Sequence, residues 1–272
     1  MSTMTASPSS QPARTVSVVQ QKGGVGKTTS TYHLARAAHT AGNRVLVVDL
    51  DAQGNISTSL VRDVVDPDAT MADVLTGDLP IDDVVTGSIW EGVDLAPTGT
   101  GLAAALDHLM AQTGREQRLR RALASVRDRY DLVLIDTPPS LGLASVSALT
   151  AADSAVLVAE PHEYSTDGLG DVAATIADVR EYLNPNLDVA GILLNRVRAT
   201  TTAREQIDEI CRGIDVHLPG AVVWVDRQVP LWAQIADTVS AGRGLDEGGP
   251  RLRTLAERVY APIVADLIGG GR

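Results

Sequence analysis

The chain has 272 residues, 44% of them apolar, only 3% aromatic and none Phe, so a sizeable core has to be built from Ala, Val, Leu and Ile. Acidic residues outnumber basic ones 34 to 23, a net charge of −11, which repels phosphate backbones on average and confines any nucleic-acid contact to a local patch. No run approaches the ~18 apolar residues of a membrane span, and a single cysteine, Cys211, excludes an internal disulfide framework and points to a reducing cytoplasm.

Residues 1–14 are rich in Ser, Thr and Pro, lack the apolar stretch of a secretory signal, and read as a disordered tail. From there apolar runs alternate with helical patterns. Strands are predicted at 16–20, 44–49, 131–136, 154–159 and 189–194, with a sixth at 221–225. Helices are predicted at 28–41, 102–110, 116–129, 141–151, 168–183, 202–212 and 230–240, and a last one at 251–268 is interrupted by Pro262. Residues 62–92 are irregular and acidic and read as an embellishment on one domain, 15–268, followed by a flexible end at 269–272. The strands are nearly continuous apolar runs, as expected of parallel strands buried on both faces, and their alternation with helices implies a layered α/β sheet. In such sheets ligands sit outside the carboxyl ends of the strands. Three strands end there in chemically capable residues: Gln20 and Gln21 before a glycine run, Asp49, and Asp136.

The glycine run is Lys22-Gly23-Gly24-Val25-Gly26-Lys27-Thr28-Thr29, between a strand and a helix. Glycines let backbone N–H groups turn inward around an anion, and the helix start adds its positive dipole end. Lys27 has the reach for β- and γ-phosphate oxygens, and the Thr28 hydroxyl suits Mg2+. The general phosphate-loop pattern wants Gly six residues before the lysine; here Gln21 stands there and a second lysine, Lys22, follows it. These are the only two lysines in the chain, beside 21 arginines. A compact ammonium fits where a planar guanidinium does not. Asp49 and Asp51, two residues apart, share one face of an extended segment. The run Leu134-Ile135-Asp136-Thr137-Pro138-Pro139 is an apolar strand ending in an acid, a Walker B arrangement whose carboxylate holds Mg2+, commonly through water.

The string KGGVGKTT resembles the deviant Walker A loop of the ParA/MinD group of P-loop ATPases. Asp49-Leu50-Asp51-Ala52-Gln53-Gly54-Asn55 resembles the second signature of that group, with Ala52 where Pro is usual, and Asp136-Thr137-Pro138-Pro139 resembles its switch II. The resemblance covers about residues 15–268. It implies a single-domain P-loop NTPase fold, a mostly parallel twisted sheet flanked by helices, with ATP and Mg2+ as ligands and hydrolysis to ADP and phosphate. It further implies that Gly23, Gly24, Val25, Gly26, Lys27, Thr28 and Thr29 hold the nucleotide and that Thr28, Asp51 and Asp136 hold the metal. Asp51 orients the attacking water, Lys22 reaches the partner's nucleotide in an ATP-driven homodimer, and Asn195 contacts adenine. From the residues alone, Asn195 reads equally as a strand-end cap.

Among branches of the group, the nitrogenase iron protein needs two cysteines per subunit, and this chain has one. A membrane-cycling MinD-type helix is the reading for Arg251, Arg253 and Arg258 interleaved with Leu252, Leu255, Val259 and Ile263, but Pro262 and Asp266 favour an ordinary packed helix, so membrane binding is not expected. The ParA (Soj-type) partition branch fits best. It implies an ATP dimer that binds double-stranded DNA non-specifically on the nucleoid in chromosome or plasmid segregation, reset by a ParB-like centromere-binding partner. Arg196, Arg198, Arg204 and Arg227 are the candidate DNA contacts. Six arginines in 115–129 form a second candidate whose bland reading is a solvated helix face. The alternative function is a positioning switch of the same fold whose ATP dimer docks on a protein or membrane cargo with little DNA binding, which the acidic balance favours.

Overall fold

Valine-, leucine- and isoleucine-rich runs pair into one seven-stranded sheet in the computed structural model, which describes residues 13–61, 69–161 and 166–269. The strands are β1 (Arg14–Val19), β2 (Val45–Asp49), β3 (Thr86–Gly87), β4 (Val93–Ala96), β5 (Leu132–Asp136), β6 (Ser154–Ala159) and β7 (Asp188–Leu194). Their order is β3-β4-β2-β5-β1-β6-β7, every pair parallel except β3 with β4. The helices are α1 (Lys27–Thr40), α2 (Asn55–Leu60), α3 (Met71–Thr76), α4 (Leu102–Leu109), α5 (Arg118–Ala124), α6 (Leu143–Ala151), α7 (Thr166–Tyr182), α8 (Thr201–His217), α9 (Ala233–Ser240), α10 (Pro250–Leu255) and α11 (Ala261–Ile268).

Alternate residues of the central strands go to opposite faces. Val16, Val18, Val45, Val47, Leu132 and Leu134 pack beneath α1 and the C-terminal helices. Leu46, Val48, Val133 and Ile135 pack against α3, α4, α5 and α6. A third cluster joins β6 and β7 to α7 and α8. All five residues of β2 and of β5 are buried, which is why both read as unbroken apolar runs.

Several boundaries differ from expectation. The chain is ordered earlier than position 15: Ala13 is buried and Arg14 opens β1; the rest of the expected tail and residues 270–272 lie outside the described residues. Part of the irregular 62–92 stretch is core wall, since Met71, Val74 and Leu75 of α3 and Ile81 and Val84 beyond it are buried together. The 221–225 run is not a regular strand; it meets β7 through one bridge, Ile192 to Val223. Trp224 lies over Gly191, where a Cβ would stand 2.5 Å from its ring, so the segment is held by ring packing in place of a full ladder. Pro262 offers no N–H to the Arg258 carbonyl, and the helix widens into a single π turn, Ala256–Tyr260, before continuing as α11. The apolar side of this terminal helix is spent on the core through Leu255, Val259, Tyr260, Ile263, Val264 and Leu267. Among the described residues no helix is long and apolar enough to cross a membrane.

Tyr32, Trp90 and Tyr260 cluster with His33 where α1 meets the terminal helix. Tyr32 stands edge-on to Trp90 at 4.7 Å and to His33 at 5.3 Å, and His33 tilts against Tyr260 at 5.4 Å. Arg36 covers Trp90 and pairs in bidentate fashion with Asp246 at 2.9 and 2.7 Å, closing the cluster. Burial lowers the pKa of His33 from 6.5 to about 4. The stability contributed by its neutral ring is complete above pH 6.5 and is lost as pH falls toward 4. We predict that acidification from pH 7 to 5 costs the wild-type chain about 2 kcal/mol more in urea unfolding than it costs His33→Phe. Equal losses in the two proteins would remove His33 as the source.

Candidate functional site

Parallel pairing sets the carboxyl ends of β1, β2 and β5 side by side. Val18 and Asp49 are both register partners of Asp136. The glycine run leaves β1 and enters α1 here, with Gly24 at φ 80° and Gly26 at φ 92°, left-handed conformations that glycine adopts without steric cost. Gly26 is also pressed against Asn195: a Cβ there would fall 2.2 Å from Nδ2.

The residues expected at a phosphate site converge. Lys27 opens α1 and is buried, its Nζ donating to the Lys22 carbonyl at 3.4 Å. Burial lowers its pKa against the opposing pull of Asp136 and Asp51. Thr28 Oγ1 donates to one Asp136 oxygen at 2.7 Å, and Thr31 Oγ1 is 3.1 Å from the other. Asp136 has no exposed surface, and its pKa is pushed up to about 7, first by burial and then by Asp49, while Thr28, Thr31 and Lys27 oppose the rise. Thr29 is half-buried on the first turn of α1, and Lys22 is exposed at the rim of the loop. Pro139 of the double-proline turn backs Gly23, whose added Cβ would meet its ring at 3.6 Å.

The two acids at the end of β2 have separate work. Asp49 accepts from the Asp51 backbone at 2.9 Å and from both the backbone N–H and hydroxyl of Ser57, at 3.1 and 2.6 Å. The Ser57 hydroxyl in turn accepts from Thr98 N at 3.1 Å. Asp49 therefore fixes the loop and the start of α2, and burial holds its pKa up near 6. Asp51 caps the following turn by accepting from Gln53 N at 3.0 Å and acts electrostatically on Lys27. Thr31 and Ser57 were missed by sequence reasoning. Their signal was available only as one helical turn after Lys27 and one turn after Gly54.

Asn195 ends β7 beneath the loop. Its Nδ2 donates to the Val25 carbonyl at 2.7 Å and its Oδ1 accepts from Arg196 N at 2.9 Å, so the residue ties the loop to the segment that follows β7.

The four arginines expected to contact DNA stand in two different surroundings. Arg196 reaches back to the loop, donating to the Gly24 carbonyl at 2.6 Å and lying 3.5 Å from the buried Glu160 carboxylate. Arg227 is ion-paired with Asp266 of α11. Both are held by tertiary partners that sequence spacing does not reveal. Arg198 and Arg204 are exposed and line a cavity of about 490 Å³ together with Arg251 and Arg258 of the terminal helix, with Asp226 as the only acid on its wall. The second arginine cluster is mostly structural: Arg115, Arg118 and Arg127 donate to backbone carbonyls, and Arg129 pairs with Asp82.

A glycine loop joining a central strand to a helix, backed by a buried acid at the end of the neighbouring strand, defines a P-loop nucleotide-binding protein. A family model described as an AAA domain matches residues 13–189. The sporulation initiation inhibitor protein Soj of Bacillus subtilis (strain 168) is 37% identical over 257 residues, covering 94% of this chain and 98% of that one. The chromosome partitioning protein ParA of Caulobacter vibrioides is 34% identical over 237 residues, covering 86% and 87%. Cobyrinic acid a,c-diamide synthase from Mycobacterium smegmatis, solved with an ATP analogue and magnesium, is 35% identical with a TM-score of 0.70, covering 74% of this chain and 82% of that one. The chain belongs to the ParA/MinD family of P-loop ATPases.

Because Gly26 combines a positive φ with contact against Asn195, Gly26→Ala is predicted to lower stability by about 1–3 kcal/mol. Denaturant unfolding checks this; a Gly24→Ala variant, whose Cβ meets nothing within 4 Å, should cost less.

Proposed function

We propose that the chain is a Mg-dependent ATPase of the partition type: it hydrolyses ATP to ADP and phosphate, dimerises on ATP, binds double-stranded DNA non-specifically, and is reset when a ParB-like partner stimulates hydrolysis. The residues present fit Mg-ATP. A buried ammonium belongs to the glycine loop, and the buried Asp136 accepts from the Thr28 hydroxyl level with the buried Asp49, a site short of positive charge.

Thr28, Asp136 and Asp51 would hold Mg2+, which when bound neutralises charge on the transferring phosphoryl group. Gly23, Gly24, Val25, Gly26 and Thr29 would line the cradle, Lys27 would bind the phosphates, and Asn195 would contact the adenine base. Asp51 orients water and accepts its hydrogen bond. Lys22, exposed on the rim, would serve a partner's nucleotide in the ATP dimer. Phosphoryl transfer of this kind is positioning and charge neutralisation, so no side chain need form a covalent bond.

The DNA half of the reading is carried by the groove of Arg198, Arg204, Arg251 and Arg258, a basic surface on a chain of net charge −11. It supports a cytoplasmic, nucleoid-associated role. The second reading, a switch docking on a protein or membrane cargo, is favoured by that same net charge and by the loss of Arg196 and Arg227 to internal partners.

Lys27→Ala is expected to abolish ATP binding, read by equilibrium titration, and retained affinity would sink the loop assignment. Asp51→Ala is expected to bind ATP and accumulate as a dimer without turnover; wild-type phosphate release would take Asp51 out of catalysis. Binding to arbitrary double-stranded DNA should require ATP and weaken steeply with salt, with a slope smaller by about one in Arg198→Ala or Arg258→Ala. ATP-driven dimers without DNA binding would establish the cargo-docking reading instead.

A further inference from the structure

We propose that Arg196 is a positioning residue that aims the phosphate-binding amides of the loop, an inference that rests on the nucleotide reading above. Two successive loop carbonyls are tied to the end of β7. Gly24 O accepts from Arg196 Nη1 at 2.6 Å, and Val25 O accepts from Asn195 Nδ2 at 2.7 Å. Each carbonyl shares a planar trans peptide with the next residue's N–H, and the two groups point in opposite directions; the structure has no cis peptide among the described residues. Pulling the carbonyls of Gly24 and Val25 toward β7 therefore turns the N–H groups of Val25 and Gly26 the other way, into the cradle.

Glycine makes this restraint necessary. Gly24, with a positive φ and open space around its Cα, can rotate its peptide at little cost, and a rotated peptide would present a carbonyl oxygen to the phosphate. Arg196 is itself the one non-glycine residue among those described with a positive φ, 56°, a conformation that persists where surrounding contacts impose it. Glu160, buried at the end of β6, lies 3.5 Å from the same guanidinium nitrogen and holds it in place. The clamp thus spans the ends of β6 and β7 and grips the middle of the loop, where Lys27 and the helix end do not reach. Arg196 touches no reacting atom in this arrangement and acts through the loop.

The test uses a fluorescent N-methylanthraniloyl ATP with Mg2+, titrated against the full chain. Arg196→Gly removes the guanidinium while suiting the left-handed backbone, so any fall in melting temperature reports the lost guanidinium contacts and not backbone strain. Its nucleotide affinity should fall about tenfold or more, the range for a hydrogen bond to a charged group. Arg196→Lys, which keeps one charged donor, should recover part of the loss, and Glu160→Gln should weaken affinity in the same direction. Wild-type affinity in Arg196→Gly overturns the clamp, and a DNA salt slope shallower by about one in that variant would give Arg196 to DNA instead. Failure of the wild-type chain itself to bind the nucleotide overturns the loop assignment and the clamp with it.

Discussion

The pairing of β2 with β5 is the constraint from which the site follows. Because both strands are buried along their whole length, their register cannot slip by one residue without sending Leu46, Val48, Val133 and Ile135 to the wrong face. That register brings Asp49 level with Asp136. Two carboxylates so placed, neither with exposed surface, repel each other and resist ionisation. The structure answers with hydroxyls and backbone N–H groups: Ser57 and the Asp51 N–H for Asp49, Thr28 and Thr31 for Asp136. What remains is a need for positive charge, which Lys27 meets in part from the first turn of α1. Apolar packing thus creates an electrostatic deficit at one point of the sheet, and that point is where the loop lies.

The parts of the fold legible in the sequence were those whose physics is local or uniform. Strands buried on both faces leave continuous apolar runs, and β5, β6 and β7 were read to within a residue. The loop, Asp51 and Asp136 stand out in the sequence as candidates because phosphate chemistry demands particular residues at fixed spacing. Other elements depend on partners far along the chain. β4 went unread because Asp94 interrupts its apolar run, and the Tyr130 hydroxyl that bonds it lies 36 residues away. The 221–225 run is as apolar as a strand, yet it meets β7 through a single bridge, with Trp224 packed over Gly191. Whether an arginine serves solvent or scaffold was equally hidden: Arg198 and Arg196 are two residues apart, one facing an open groove and the other bound to the loop.

Those two arginines also show how the site and the basic groove are joined. The segment that leaves β7 first caps the loop through Asn195 and Arg196 and then forms the groove wall through Val197, Arg198, Thr200 and Arg204. The opposite wall comes from the terminal helix, whose other side is anchored on α1 through the Tyr32, His33 and Tyr260 cluster. Both walls are therefore fastened to elements that begin at the glycine loop. The π turn that admits Pro262 ends at Tyr260, so the accommodation of one proline and the seating of the aromatic cluster occupy the same stretch of helix.

The confinement of both lysines to the loop has a practical consequence. An endoproteinase that cuts only after lysine has two sites in the whole chain, and both lie in the phosphate cradle. One follows the exposed Lys22 and the other the buried Lys27. A single pair of fragments, one ending at residue 22, would report an open loop, and a chain left whole would report a covered one. The molecule therefore carries its own footprinting probe for the state of its site.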